Sequence, residues 1–305
     1  MANERVKQEQ AAPAWLAQPE RSDVGTIRAF AWIALTLGRR VARLLLHPIT
    51  FYFFLFSVQA RASSRKYLRL VLNREPRLRD VYRHYYSFAA TILDRAYFLK
   101  GHYNAFDVRT IDEDFVYTMI DRGEGGFLIG AHMGSFEVIR SLGRDVRRLK
   151  VRMVMYEENA KKLNAVLEAI NPQLADGVIG LGTVDSMLKV ERALAQGEFV
   201  GMLADRTIRG EGTVPVTFLG QPAQIPLGPF RIAAIMKRPV ILMLGLYRGG
   251  NRYDIHFERL VDMTHIERAK RDAVIAEAIR KYVERLEHHC RSAPYNWFNF
   301  YDFWN

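Results

Sequence analysis

The 305-residue sequence predicts an α/β fold with a helical N-terminal region, and two observations carry that reading. From about residue 111, short apolar runs alternate with segments of helical period, the texture of a largely parallel sheet covered by helices. Ahead of that point the chain reads as helical, first very apolar and then strongly basic. The organisation expected is a polar tail over 1–24, a helical membrane-associating region over 25–110, and a core over 111–305 on which an aromatic C-terminus docks.

In chain order, residues 1–23 are polar, carry Pro13 and Pro19, and lack the pattern of a cleavable signal peptide. The stretch 27–56 is the most hydrophobic, but Arg39, Arg40 and Arg43 interrupt it and Pro48 is expected to break it. It reads either as a membrane-inserted or interfacial anchor with snorkelling arginines, or as a buried helical hairpin. Dense aromatics beside the basic cluster favour an anionic bilayer surface. Two amphipathic helices follow, joined around Pro76, with Arg61, Arg65, Lys66, Arg69, Arg74, Arg77, Arg79 and Arg83 between their apolar positions. Those cations read as a solvated face, or as a surface for lipid phosphates or an acidic carrier protein.

Strands are expected at 126–131, 151–156, 199–203, 214–219, 240–247 and 253–257, with antiparallel pairing near the end. Helices are expected at 136–142, 160–170, 186–195 and 227–236, then a long one over 266–289. The segment 294–304 is too aromatic for a free tail; it docks on the core or lies at a membrane interface, and its lack of Lys and Arg favours docking.

A net charge of +11 asks for an anionic partner, and 49% apolar residues is too few for a multi-span membrane protein. Cys290 is the only cysteine, which excludes an intrachain disulfide and a Cys-rich zinc site and reads as a small packed residue.

The run FLIGAHMGSFE over 127–137 concentrates the chemistry. An apolar strand ends at His132, and Ser135 can cap the helix that follows, with Glu137 in its first turn. A neutral histidine can accept a proton from an alcohol, and a carboxylate on its other ring nitrogen fixes the tautomer. Glu137 is the residue expected to do this. The amides around Gly134 and Ser135, at a helix start, are expected to bind a developing oxyanion. Gly134 is expected to let the backbone approach a substrate. Ser135 lacks the Gly-x-Ser-x-Gly elbow of a covalent hydrolase, so the attacking hydroxyl belongs to a substrate. Asp205 and Arg206 follow the strand 199–203 and form a second site candidate. Gly123, Gly125 and Gly126 precede a strand, whereas a dinucleotide loop follows one. Glu287, His288, His289 and Cys290 are neighbours on one helix and cannot face one metal, so they read as solvated surface.

The octapeptide GAHMGSFE over 130–137 resembles the His-x4-Glu/Asp signature of the lysophospholipid acyltransferase superfamily. More narrowly it resembles the bacterial lipid A late acyltransferases, which carry lauroyl or myristoyl groups from acyl carrier protein to hydroxyls of acylated lipid A precursors. SRKYLRLVLNRE over 64–75 is similar to that family's basic helix, FVGMLADR over 199–206 to its strand ending in Asp-Gln or Asp-Arg, and VPVTFLGQPAQIPLGP over 214–229 to its VPFFG-x-x-A-x-T-P-x-G-P segment. Pro239 and Val240 stand where a Pro-Val strand is expected.

The resemblance implies a glycerol-3-phosphate acyltransferase-like mixed sheet flanked by helices, an N-terminal membrane helix, and catalytic His132 with Glu137. It implies a pocket lined by Asp205 and Arg206, and a loop over the acyl groove shaped by Gly220, Pro226 and Gly228. The donor implied is an acyl carrier protein thioester or acyl-coenzyme A, with a lipid A-like or other lipid acceptor, at the cytoplasmic face of a bacterial inner membrane. Neither a metal nor an organic cofactor is implied. Two departures stand out. YEENAKKLN over 156–164 lacks the family's arginine, whose anion contact falls to Lys161 or Lys162 beside Asn164. The end, NFYDFW over 299–304, replaces a Trp-x-His-Arg-Arg pattern. The other reading is a non-catalytic membrane-surface lipid binder that keeps the fold; a nucleic-acid binder has only the net charge behind it.

Overall fold

The computed structural model describes residues 36, 38–139, 149–156, 177–207 and 212–304. Its centre is a seven-stranded mixed sheet of order β1-β9-β8-β2-β5-β3-β4. The strands are β1 (Asp107–Ile111), β2 (Phe127–Gly130), β3 (Val151–Tyr156), β4 (Val178–Leu181), β5 (Phe199–Leu203), β8 (Val240–Gly249) and β9 (Arg252–Val261). Neighbours run parallel except β8 and β9, which form the antiparallel hairpin expected near the end.

Strand β2 lies between β8 and β5, and all four of its residues are buried, as its unbroken apolar run requires. Successive side chains point to opposite faces. Phe127 and Ile129 join the core beneath the C-terminal segment, and Leu128 joins the core beneath the N-terminal helices.

Seven labelled helices surround the sheet: α1 (Arg39–Phe56), α2 (Val58–Leu72), α3 (Leu78–Leu99), α4 (Asp114–Asp121), α5 (Val184–Ala195), α6 (Gly228–Met236) and α7 (Arg271–Ser292). Helix α1 runs through Pro48 instead of breaking there. Its buried stripe, Ala42, Leu46, Thr50 and Phe54, recurs every four residues on both sides of the proline, and tertiary packing overrides the lost donor. Arg39 fastens the helix to the buried Asp94 of α3 through two bonds of 2.8 and 2.9 Å, and Arg43 donates to the Tyr247 hydroxyl at 2.6 Å. The opposite face exposes Leu44, Phe51, Tyr52, Leu55 and Phe56. Among the described residues no single helix is long and apolar enough to cross a membrane; α1 and α2 meet that test only together, bent by 95°.

The strands depart from expectation in two respects. The 214–219 run is strand β6 (Thr213–Phe218), but it pairs with β7 (Gln221–Pro226) in a separate hairpin outside the main sheet. Leu219 and Gly220 form its two-residue turn, both with positive φ, so Gly220 serves the turn. Strands β1 and β4, at the two sheet edges, stand where no strand is expected from sequence. The helix expected at 160–170 lies outside the described residues, as do the stretch 27–35, residues 140–142 of the helix expected at 136–142, and Lys161, Lys162 and Asn164.

Candidate active site

Strands β2 and β5 are parallel neighbours, with Gly130 opposite Leu203. Two residues beyond each strand end stand His132 and Asp205, which this register sets side by side at the carboxyl edge of the sheet, where α/β folds bind ligands. Nδ1 of His132 donates to Oδ1 of Asp205 at 2.8 Å, and the His132 backbone amide donates to Oδ2 at 3.0 Å. The Asp205 side chain is fully buried, while the His132 ring is 31% exposed, so one edge of the imidazole reaches the surface. Nε2 has no hydrogen-bond partner among the described residues.

Glu137 meets a different partner. The expected helix start is present, with residues 136–139 helical, but Glu137 forms an ion pair of 2.7 Å with Arg95 of α3 and no hydrogen bond to His132. Sequence proximity favoured Glu137; the register of two parallel strands favours Asp205, 73 residues away.

The expected oxyanion donors are also spoken for. The Gly134 amide donates to the Asn296 carbonyl and the Ser135 amide to the Gly245 carbonyl, both at 2.8 Å. Gly134 has φ of 67°, and a Cβ there would sit 1.9 Å from the Gly245 oxygen. The glycine therefore admits the β8 backbone rather than a substrate.

The C-terminal segment completes the site. Trp297 Nε1 and Asn299 Nδ2 donate to Oδ2 of Asp205 at 2.9 and 3.0 Å. The Phe298 amide donates to the His132 carbonyl at 2.7 Å, and Met133 and Trp297 form an isolated antiparallel bridge. Asn296 clamps the segment to β8, accepting from the Tyr247 amide at 2.7 Å and donating to its carbonyl at 3.0 Å. His84 of α3, fully buried, donates from Nε2 to the Trp297 carbonyl and accepts from the Ser64 hydroxyl at Nδ1, both at 2.8 Å. Burial pushes its pKa down to about 4, so it stays neutral in this chain of bonds.

Arg206 donates from Nε to Asn299 Oδ1 at 2.8 Å and from Nη2 to the Phe298 carbonyl at 3.1 Å, under the Tyr301 ring. Burial holds the His132 pKa below its ordinary value and the Arg206 charge adds to that, while Asp205 pulls the other way without overcoming them. For Asp205, burial acts upwards, but the His132 ring, the Arg206 charge and the His132 amide outweigh it and leave the carboxyl well below the usual range. Near neutral pH the pair is a neutral imidazole on a charged carboxylate.

Gly228 opens α6, two residues after Pro226 at the end of β7. Gly220 lines a cleft of about 560 Å³ with Arg69, Arg74 and Arg291, and a larger cleft of about 750 Å³ runs between β6 and α7; neither is lined by His132. Cys290 is fully buried, as a packed residue should be. His289 is buried too, which corrects its reading as solvated surface.

The residues that sequence reasoning missed are Trp297, Asn299, Asn296 and His84. The aromatic density of 294–304 signalled docking, but nothing in it named Asp205 as the target.

No curated protein matches the chain. A family model, bacterial lipid A biosynthesis acyltransferase, matches residues 24–305. A strand-end histidine held by a carboxylate can take a proton from a hydroxyl. The chain belongs to the bacterial lipid A biosynthesis acyltransferase family and is an acyltransferase.

Proposed function

We propose that the enzyme moves a fatty acyl chain from a thioester, on acyl carrier protein or coenzyme A, to a hydroxyl of a lipid A-like or other lipid acceptor. His132 is the general base. The observation that carries this reading is the Nδ1–Asp205 bond on a ring whose other edge is open. It fixes the tautomer that leaves the Nε2 lone pair facing outward.

Nε2 takes the acceptor hydroxyl's proton as its oxygen attacks the thioester carbonyl carbon. The tetrahedral intermediate collapses, the carbon–sulfur bond breaks, and the imidazolium returns the proton to the departing thiolate. Asp205 stabilises the imidazolium meanwhile. With the Gly134 and Ser135 amides engaged elsewhere, Arg206 stabilises the oxyanion: its Nε and Nη2 are held, and Nη1 has no hydrogen-bond partner among the described residues. Glu137 acts by fixing Arg95 against the first helical turn.

The apolar outer face of α1 supports docking on the inner membrane from the cytoplasmic side, where the acceptor lipid and the thioester donor meet. The basic positions of α2 and α3 suit an acidic carrier protein.

The test is transfer of a labelled acyl group from acyl carrier protein to a membrane lipid extract. Wild type transfers it and His132→Ala, still folded, does not. Lipid association without turnover, indifferent to His132→Ala, would establish the non-catalytic lipid binder instead.

A further inference from the structure

Adjacent residues on a helix face different ways, so the run Glu287 to Cys290 cannot surround a metal by itself. The structure turns His289 inwards on its own. It is 2% exposed and meets His256 and Glu258. These two stand two residues apart on β9 and so share one face of the strand. His289 Nε2 lies 2.7 Å from Glu258 Oε1, and the His256 and His289 rings meet edge to face with centroids 4.8 Å apart.

One donor atom from each of the three residues can be chosen so that all lie within 4.8 Å of one another. In a tetrahedral zinc site such atoms stand about 3.4 Å apart. Two ring nitrogens, His256 Nε2 and His289 Nδ1, are buried without a hydrogen-bond partner. A buried polar atom left unpaired is costly and needs an explanation.

The geometry points to a transition-metal site, zinc by its chemistry, held by His256, Glu258 and His289. Two imidazoles and one carboxylate suit zinc, whereas magnesium and calcium prefer oxygen donors throughout. The cation engages the unpaired His256 Nε2, one Glu258 oxygen and a ring nitrogen of His289, and displaces the present bond between His289 and Glu258. Arg285 donates to both Glu258 oxygens, at 3.0 Å from Nη2 to Oε1. It orients the carboxylate as an outer-shell partner does, and its charge opposes the cation.

The site has a structural purpose. It ties the last turn of α7 to β9, and α7 leads through Ala293 into the residues that hold Asp205. The cation fastens the base of that segment and takes no part in acyl transfer.

The experiment uses full-length, tag-free protein, stripped with a chelator and titrated with Zn2+ and with Co2+. One equivalent of either metal should bind, cobalt should give the absorption bands of a four- or five-coordinate complex, and zinc should raise the thermal midpoint. His256→Gln should weaken binding more than about tenfold and abolish the thermal shift. Absence of the cobalt spectrum, or binding unchanged by His256→Gln, overturns the site. His256 is only partly buried on its strand, so its replacement decides the matter even if a His289 variant fails to fold.

Discussion

His132 and Asp205 each lie two residues beyond the ends of neighbouring parallel strands, and Nδ1 of the one meets Oδ1 of the other at 2.8 Å. The carboxylate bonded to the His132 ring thus comes from the next strand rather than the next helix.

Asp205→Asn should lower kcat/KM by about a hundredfold to ten-thousandfold, because the amide can hold the wrong tautomer of His132. Glu137→Gln should cost about tenfold or less, because it weakens an ion pair with Arg95 beside the site. Both are read from acyl transfer with folded protein. Equal losses in the two variants would return the orienting role to Glu137.

The acid limb of the pH profile of kcat/KM should lie below pH 6.5, the ordinary value for histidine. The base works only when neutral, so activity falls as pH falls through the depressed His132 value. Arg206→Gln removes one cause of that depression and should move the limb to higher pH while lowering the rate. A wild-type limb well above pH 7 would contradict the described surroundings of the ring.

Gly134→Ala should be among the most damaging small changes in the chain. It combines a left-handed backbone with a methyl group placed 1.9 Å from the Gly245 oxygen. A loss of about 3 kcal/mol or more is expected, read from urea denaturation. A loss below about 1 kcal/mol would show that the loop does not pack on β8 in this way.

Replacing Phe51 and Phe56 of α1 with serine should weaken binding to anionic lipid vesicles by at least about tenfold, since half-exposed aromatic rings bury their apolar area only in a bilayer. Folding stability should change by less than about 0.5 kcal/mol, as for other surface positions. Unchanged vesicle binding would remove α1 from the membrane contact.

The core strands were legible because β2, β3, β5 and β8 are largely apolar runs and β9 alternates apolar with polar residues. Strands β1 and β4 were not: β1 is DVRTI, charged and half-exposed at a sheet edge, and β4 is four residues long. His132 and Asp205 were each legible as strand-end residues, since a parallel sheet gathers such residues at one edge. Their partnership was not, because periodicity reveals a strand without revealing its neighbour. Trp297 and Asn299 were beyond reach for the same reason: they act across 92 and 94 residues through single hydrogen bonds. Pro48 misled because its local cost is plain, while the stripe that offsets it depends on α3.

The docking of Trp297 and Asn299 on Asp205 also sets an order of events during synthesis. The ribosome makes α1 before the strands bearing His132 and Asp205, and makes the residues that close over the carboxylate later still. A growing chain can pair β2 with β5 while the Asp205 carboxylate still lacks its Trp297 and Asn299 donors. The bonds that hold Asp205 are therefore completed last, and a protease cut just past α7 would remove them.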